Sequence, residues 1–317
     1  MRCVVKVLSV GMTVCDVLIS PVPANVMELD SITIQKPIMA CGGDALNFAM
    51  ALAKLGTDVS LSGRVADDAA GGFIRSQCRK AGVHIEGLKN DEVCATSTTY
   101  ALIGTDGERH FLTDKAIFSK VTDADVTDEM LREADIVYFG SVMALPYMND
   151  GGLERLFRRA KALGKLTAMD AAIDETIHVD NWLEKLSGAL EVTDIFFPSF
   201  YEANRLTGKE DPHEIAEAFR PFEMKAFGIK LGGKGCYVTD FEREEILPPM
   251  EGVHVVDTTG AGDSFMAGLI CAVGRGWNIF DAAGLASVVA AKNIEAIGGT
   301  AGVPCFDEAL RLYQSRK

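Results

Sequence analysis

Between Asp257 and Phe265 the chain reads DTTGAGDSF. Two carboxylates, two threonine hydroxyls and three positions with little or no side chain stand together, and the Ser264–Val273 stretch that follows has helical spacing. Gly260, Ala261 and Gly262 therefore fall at a predicted helix start, where backbone N–H groups lack partners within the helix. Such donors hold anions, and small residues let an anion approach closely. A phosphoryl group in transfer gathers charge on its oxygens, where each preorganised donor contributes about 3 kcal/mol. Asp263 suits different chemistry, since it would repel a phosphate but, facing an alcohol, can take the proton as general base. The same residues also suit an ordinary strand-to-helix turn, with Asp263 supporting the first helical turn.

A second constellation, CGGDALN, runs from Cys41 to Asn47 between an extended segment and a helix. Gly42 and Gly43 let the backbone approach a ligand, while Asp44 and Asn47, at i and i+3, offer acceptors and an amide on one helical face. Asp16 stands in a similar place after the first predicted strand. Carboxylates and amides of this kind suit a polyol; a glycine turn with Asp44 capping the helix is the plain alternative. The GIKLGGKG stretch from Gly228 to Gly235 nearly satisfies a phosphate-loop pattern, but Gly235 replaces the magnesium-binding hydroxyl. Its setting between the β-like runs Ala226–Leu231 and Cys236–Thr239 makes it a hairpin turn instead. No G-x-G-x-x-G follows the first strand, which argues against a dinucleotide enzyme. The five histidines lack ligand or triad spacing.

The elements that must position these residues follow a β-α-β rhythm. Val4–Gly11, Val59–Gly63, Ile136–Gly140, Leu166–Asp170 and Ile195–Pro198 read as strands, with helices over 45–55, 153–163 and 201–206 among them. Such alternation predicts a parallel sheet covered by helices on both faces. Ser31–Ile38 and Thr96–Thr113 break the rhythm, the second alternating around a turn signal at Thr105–Glu108, and together predict a small antiparallel sheet acting as a lid. After Phe227 strands are expected again up to Val253–Asp257, then helices.

A formal net charge of −14 argues against a nucleic-acid partner. The eight cysteines form no C-x-x-C pair, so reduced thiols in a cytoplasm are expected and structural zinc is not. Lys6 and Asp16 interrupt the apolar start, against a signal peptide, and Arg275 and Asp281 break the apolar run 267–291, against a membrane span.

Taken together, Gly42-Gly43 with Asn47, the GERHFL segment from Gly107, PSFYE ending at Glu202, LTG ending at Gly208, KLGGKG from Lys230 and above all DTTGAGDSF resemble the ribokinase-like, or PfkB, family of carbohydrate kinases. The resemblance covers nearly the whole chain. It implies one catalytic domain over 1–317, a three-layer α/β/α sandwich with a mainly parallel sheet, and a β-sheet lid from about 13–39 and 94–114. It implies ATP and magnesium as cofactors, with potassium as a further candidate, a sugar substrate, and a homodimer through the lid. Asp263 matches the base, and Gly260, Ala261 and Gly262 the anion hole. Asp16, Gly42, Gly43, Asp44 and Asn47 match sugar-contacting positions, with Arg109 in the lid able to neutralise a sugar acid. Lys230, Gly232, Gly235 and Thr258 match nucleotide-site positions, Glu202 the residue that organises magnesium through water, and Asp257 and Thr259 a monovalent-cation loop.

Ser199 stands where the family commonly has asparagine, and a serine can still orient a water. Asp44 would repel a phosphorylated sugar, which favours a neutral one. Ribokinase, fructokinase, ketodeoxygluconate kinase and nucleoside kinase activities remain open on these residues, as does a catalytically weak sugar sensor, motivated by Ser199.

Overall fold

The segment IVYFGSV, Ile136–Val142, is buried along its entire length, as expected of a parallel strand covered on both faces. Its alternate residues feed two cores. Ile136 and Tyr138 point into one, and Val137 and Phe139 into the other, because successive side chains of a strand face opposite ways.

The computed structural model describes residues 5–105 and 108–316. Asp106 and Gly107, the centre of the predicted hairpin turn, and Val4, the predicted start of the first strand, lie outside them. In chain order the strands are β1 Lys6–Val10, β2 Val14–Val22, β3 Ile38–Gly42, β4 Asp58–Ala66, β5 His84–Asp91, β6 Thr98–Gly104, β7 Arg109–Thr113, β8 Ile136–Val142, β9 Leu166–Ala171, β10 Ile195–Phe196, β11 Ala226–Lys230, β12 Cys236–Thr239 and β13 Glu244–Leu247. The helices are α1 Asp44–Lys54, α2 Ala69–Ala81, α3 Asp128–Glu133, α4 Leu153–Ala162, α5 Trp182–Lys185, α6 Ser187–Leu190, α7 Phe200–Thr207, α8 Pro212–Phe219, α9 Ala261–Gly274, α10 Ile279–Asn293 and α11 Phe306–Gln314.

Nine strands form one sheet in the order β13-β12-β11-β10-β9-β8-β1-β4-β5. All its ladders are parallel except β11–β12 and β12–β13. Helices α1, α2, α9, α10 and α11 pack on one face and α3 to α8 on the other, the expected three layers. From β1 the chain winds one way to β4 and β5 and later the other way through β8 to β11. The crevice beyond the carboxyl ends of β1 and β8 is thus a topological switch point, where open α/β sheets bind ligands. Among the described residues no helix is long and apolar enough to cross a membrane.

A separate four-stranded sheet, in the order β3-β2-β6-β7, carries the residues predicted for the lid. It differs from expectation in two ways. It is mixed, since β2 runs parallel to β6. Ser31–Pro37 adds no strand despite its alternation, and the ladder begins only at Ile38; proline has no N–H to give a ladder. Val253–Asp257 likewise is not a strand. Among the described residues no strand pairs with it, and the backbone N–H groups of Val256 and Asp257 instead donate to the carbonyl of Ile294, just past α10.

Candidate active site

Helix α9 packs against both α1 and α10, so its first turn opens into the switch-point crevice beside the start of α1. Gly260 caps it with φ +69°, and a side chain there would lie 1.9 Å from the Gly299 carbonyl oxygen. Only glycine meets both demands cheaply. Ala261 and Gly262 begin the helix proper, with N–H groups that precede any intrahelical partner.

Asp263 lies in that first turn. Its Oδ2 accepts a 2.9 Å hydrogen bond from Asn47 Nδ2, across 216 residues of sequence. Burial pushes the Asp263 carboxyl up to about 6 and Glu202 adds to the rise, while the Asn47 amide and the Lys230 charge oppose it. A carboxylate in this range is a stronger base than an exposed one. Asp44 stands at the start of α1, with the Ser141 hydroxyl donating to its Oδ1 at 2.5 Å. Burial, and next the charge of Asp263, push it up to about 7. Asp44 Oδ2 and Asn47 Oδ1 are buried with no hydrogen-bond partner among the described residues. Two orphaned acceptors beside a candidate base are unusual, because buried polar atoms are ordinarily satisfied.

The other wall of the crevice comes from the ends of β9, β10 and β11. Lys230 Nζ is paired with Asp170 Oδ2 and lies 3.1 Å from where a Gly262 side chain would begin. Burial works against the Lys230 charge, but Asp170, Glu202 and Asp263 outweigh it and hold the ammonium protonated. Ser199 and Glu202 close a reciprocal capping box at the start of α7: Ser199 N donates to Glu202 Oε2 at 2.6 Å, and Glu202 N donates to Ser199 Oγ at 3.3 Å. The Ser199 hydroxyl thus serves the helix terminus.

Above the crevice the small sheet presents alternate residues. A cleft between it and the main body is lined by Asp16, Ala101, Arg109, Asp257, Thr259 and Gly299, among others. Burial raises the Asp16 carboxyl to about 6, and a side chain at Gly42 would collide with it, so the paired strands β2 and β3 need glycine there. Arg109 Nη1 donates to Asp257 Oδ1 at 3.0 Å and reaches Thr259 Oγ1 at 3.3 Å. Burial would raise Asp257, but the Thr259 backbone and hydroxyl, the Gly298 N–H and Arg109 together hold it at about 2.

The family model described as pfkB family carbohydrate kinase matches residues 5–305. The chain belongs to that family. An uncharacterized sugar kinase of Archaeoglobus fulgidus is 26% identical over 256 residues, covering 80% of this chain and 98% of the relative. The ribokinase of Arabidopsis thaliana, solved with ribose and ATP, superposes with a TM-score of 0.82 at 24% identity, covering 98% of each chain. A fructokinase double mutant from Vibrio cholerae, solved with fructose, ADP and a potassium ion, gives 0.81 at 20% identity, again over 98% of each. These two structures carry the fold, and with it the three-layer sandwich and the small separate sheet.

Within this pfkB chain, Asp44, Asn47, Lys230, Glu202 and the Gly260–Asp263 turn meet at one crevice. Gly43 caps α1 at φ +84°. Gly232 and Gly235 lie on the β11–β12 turn, and exposed Thr258 accepts from Ala261 N at 3.2 Å. Asp16 faces the crevice from the small sheet, whereas Arg109 is engaged with Asp257 rather than standing free. Sequence reasoning missed Ser141, Asp170 and Tyr138. A polar residue ending a buried parallel strand is the signal that marks the first two. Tyr138 needed the fold: its buried hydroxyl lies in the field of Asp170, Asp263, Asp44 and Glu202.

Asp44, Asp170, Glu202 and Asp263 gather around Lys230 and the Tyr138 hydroxyl, and burial raises Asp44, Asp170 and Asp263, so the crevice is rich in acids ready to ionise beside a cation. Among the described residues no three His, Cys, Asp or Glu side chains converge as a metal cage. Magnesium characteristically takes one or two carboxylates and completes its shell with phosphate and water.

Proposed function

We propose that this chain phosphorylates a hydroxyl of a small neutral sugar at the expense of ATP, with Asp263 as general base and Gly260–Gly262 as anion hole. The observation that carries the reading is the pair of unsatisfied acceptors, Asp44 Oδ2 and Asn47 Oδ1, beside Asp263. Sugar hydroxyls are the donors those atoms lack. The Asn47 amide fixes the Asp263 carboxylate through Oδ2, leaving Oδ1 to receive the proton of the attacking hydroxyl. Lys230 and the N–H groups at the start of α9, of which Ala261 N must exchange its bond to the Thr258 carbonyl for the phosphoryl oxygens, hold negative charge as it builds on the transferred group. Magnesium, held through Glu202 and water, would neutralise the phosphate oxygens.

Asp16 and Asp44 extend the same acceptor set toward other hydroxyls, with the small sheet as a lid over the sugar. Gly232, Gly235 and Thr258 line the nucleotide side. A neutral substrate is favoured on two counts. Asp44 repels a phosphorylated sugar, and the guanidinium of Arg109, which a sugar acid would need, is committed to Asp257. On the lid's outer face Tyr100 and Leu112 pair across β6 and β7 and stand exposed, an apolar surface suited to a second copy of this chain.

A coupled ADP-release screen over pentoses, hexoses, sugar acids and nucleosides tests the reading. Turnover is expected with a neutral pentose or hexose. ADP release confined to acids or nucleosides removes the substrate class, and none with any acceptor removes the activity.

A further inference from the structure

Asp257 is 3% exposed and comes three residues before the Gly260 cap. An uncompensated carboxylate there would place negative charge behind the donors that receive a phosphoryl group. A monovalent cation is one way to offset it, and Asp257 and Thr259 are the side chains a cation loop would use. The donor set around them does not fit that ion. Asp257 Oδ1 accepts from Thr259 N at 3.0 Å, Thr259 Oγ1 at 2.7 Å and Arg109 Nη1 at 3.0 Å, and Oδ2 accepts from Gly298 N at 3.0 Å. The nearby carbonyls are also engaged. Thr259 O and Gly299 O accept from Asn293 Nδ2 at 3.3 and 2.9 Å, and Ile294 O accepts from the N–H groups of Val256 and Asp257. An alkali cation at Asp257 would meet the Arg109 guanidinium on the same oxygen.

We infer that Arg109 is the built-in cation of this loop: from the lid strand β7 it supplies to Asp257 the charge that an alkali ion would otherwise bring, so that the enzyme works without potassium. Strand alternation supports the assignment, since Arg109 shares the cleft-facing row with Phe111 and Ala101 while His110 and Leu112 face away. The same contact makes the lid part of the anion-hole loop. When the lid lifts, Asp257 loses its countercharge, and when it closes the loop regains it. Arg109 is thus a positioning residue, acting through Asp257 and never touching the transferred group.

The inference rests on the kinase reading, and its test keeps the two apart. The full-length protein and its R109M and R109K variants are melted without nucleotide or sugar, in potassium chloride and in tetramethylammonium chloride at equal ionic strength. The unmodified chain should melt at the same temperature in both salts, and R109K should follow it. R109M should melt lower in tetramethylammonium and recover saturably with potassium, because the vacated carboxylate then accepts the ion. With whichever sugar the screen identifies, the unmodified chain should turn over within twofold in the two salts. R109M should lose at least tenfold in tetramethylammonium and regain most of it with potassium or millimolar guanidinium, a rescue that a merely structural arginine would not give. Saturable stabilisation or activation of the unmodified chain by potassium overturns the inference, as does an R109M variant blind to the ion. Absence of ADP release with every acceptor would defeat the kinase reading alone, since the melting curves still decide the role of Arg109.

Discussion

The two ends of the segment Asp257–Asp263 carry the same side chain and are treated in opposite ways. Asp257 is surrounded by donors on both oxygens and held at about 2. Asp263 has one amide donor, at Oδ2, and burial pushes it up to about 6. One carboxylate is satisfied and fixes the loop; the other is left hungry for a proton. The six-residue interval thus separates a fully satisfied aspartate from the one proposed as the base, and the difference lies in the surroundings each receives from distant parts of the chain: Gly298 and Arg109 for the first, Asn47 and Lys230 for the second.

Replacing each end should move stability and turnover in different directions. Asp263→Asn should lower kcat about 10³-fold, the middle of the range for removing a general base, while raising the melting temperature. A carboxyl whose folded pKa lies above its unfolded value favours folding while protonated, and that contribution is lost as pH rises through about 6. The neutral amide retains it. A kcat within threefold of the original would end the assignment of the base. Asp257→Asn should do the reverse to stability, costing about 2 kcal/mol through weakened charged hydrogen bonds, read as a lower urea midpoint. Asp257 contributes fully above the unfolded value near 4 and loses its effect only as pH falls toward about 2. An unchanged midpoint would erase the contrast.

The pH profile sharpens the comparison without mutation. The kcat/KM value should fall toward a tenfold loss per unit below about pH 6 as Asp263 takes up its proton, whereas Asp257 stays ionised throughout that range. A flat profile down to pH 5 would contradict it. The smallest effect belongs to the outer lid. Leu112 is 60% exposed, so Leu112→Ser should shift monomer stability by no more than about 0.5 kcal/mol, while sedimentation should show the proposed lid-mediated dimer coming apart, and an unmodified chain that sediments as a monomer would remove that dimer.

The glycine turn and the GG-x-x-x-N spacing were legible as places of close approach, and the groups that approach are the Asp16 carboxyl at Gly42, the Met12 carbonyl at Gly43 and the Gly299 carbonyl at Gly260. The main strands were legible from their apolar runs, since β8 is covered on both faces. Segments whose partners are decided by tertiary context were not. Val253–Asp257 has the composition of a strand but binds the end of α10, and Ser31–Pro37 alternates yet reaches β2 through a single backbone bond from Gln35 N to the Ser20 carbonyl, with no ladder. The Asp170–Lys230 pair joins residues 60 apart, a proximity that only the adjacent ends of β9, β10 and β11 create. Arg109 was legible as a lid cation, but its target was not, because the choice between a substrate and Asp257 depends on how the small sheet sits over the loop.

The hydrogen bond from Asn47 to Asp263 has a consequence for the order of biosynthesis. Asn47 leaves the ribosome 216 residues ahead of the group it orients, and the chain must then add α10 and the Gly298–Gly299 turn before the acid's loop is braced. A nascent chain that has not yet reached Gly298 therefore lacks the N–H that braces Asp257, whatever its first 47 residues have already formed.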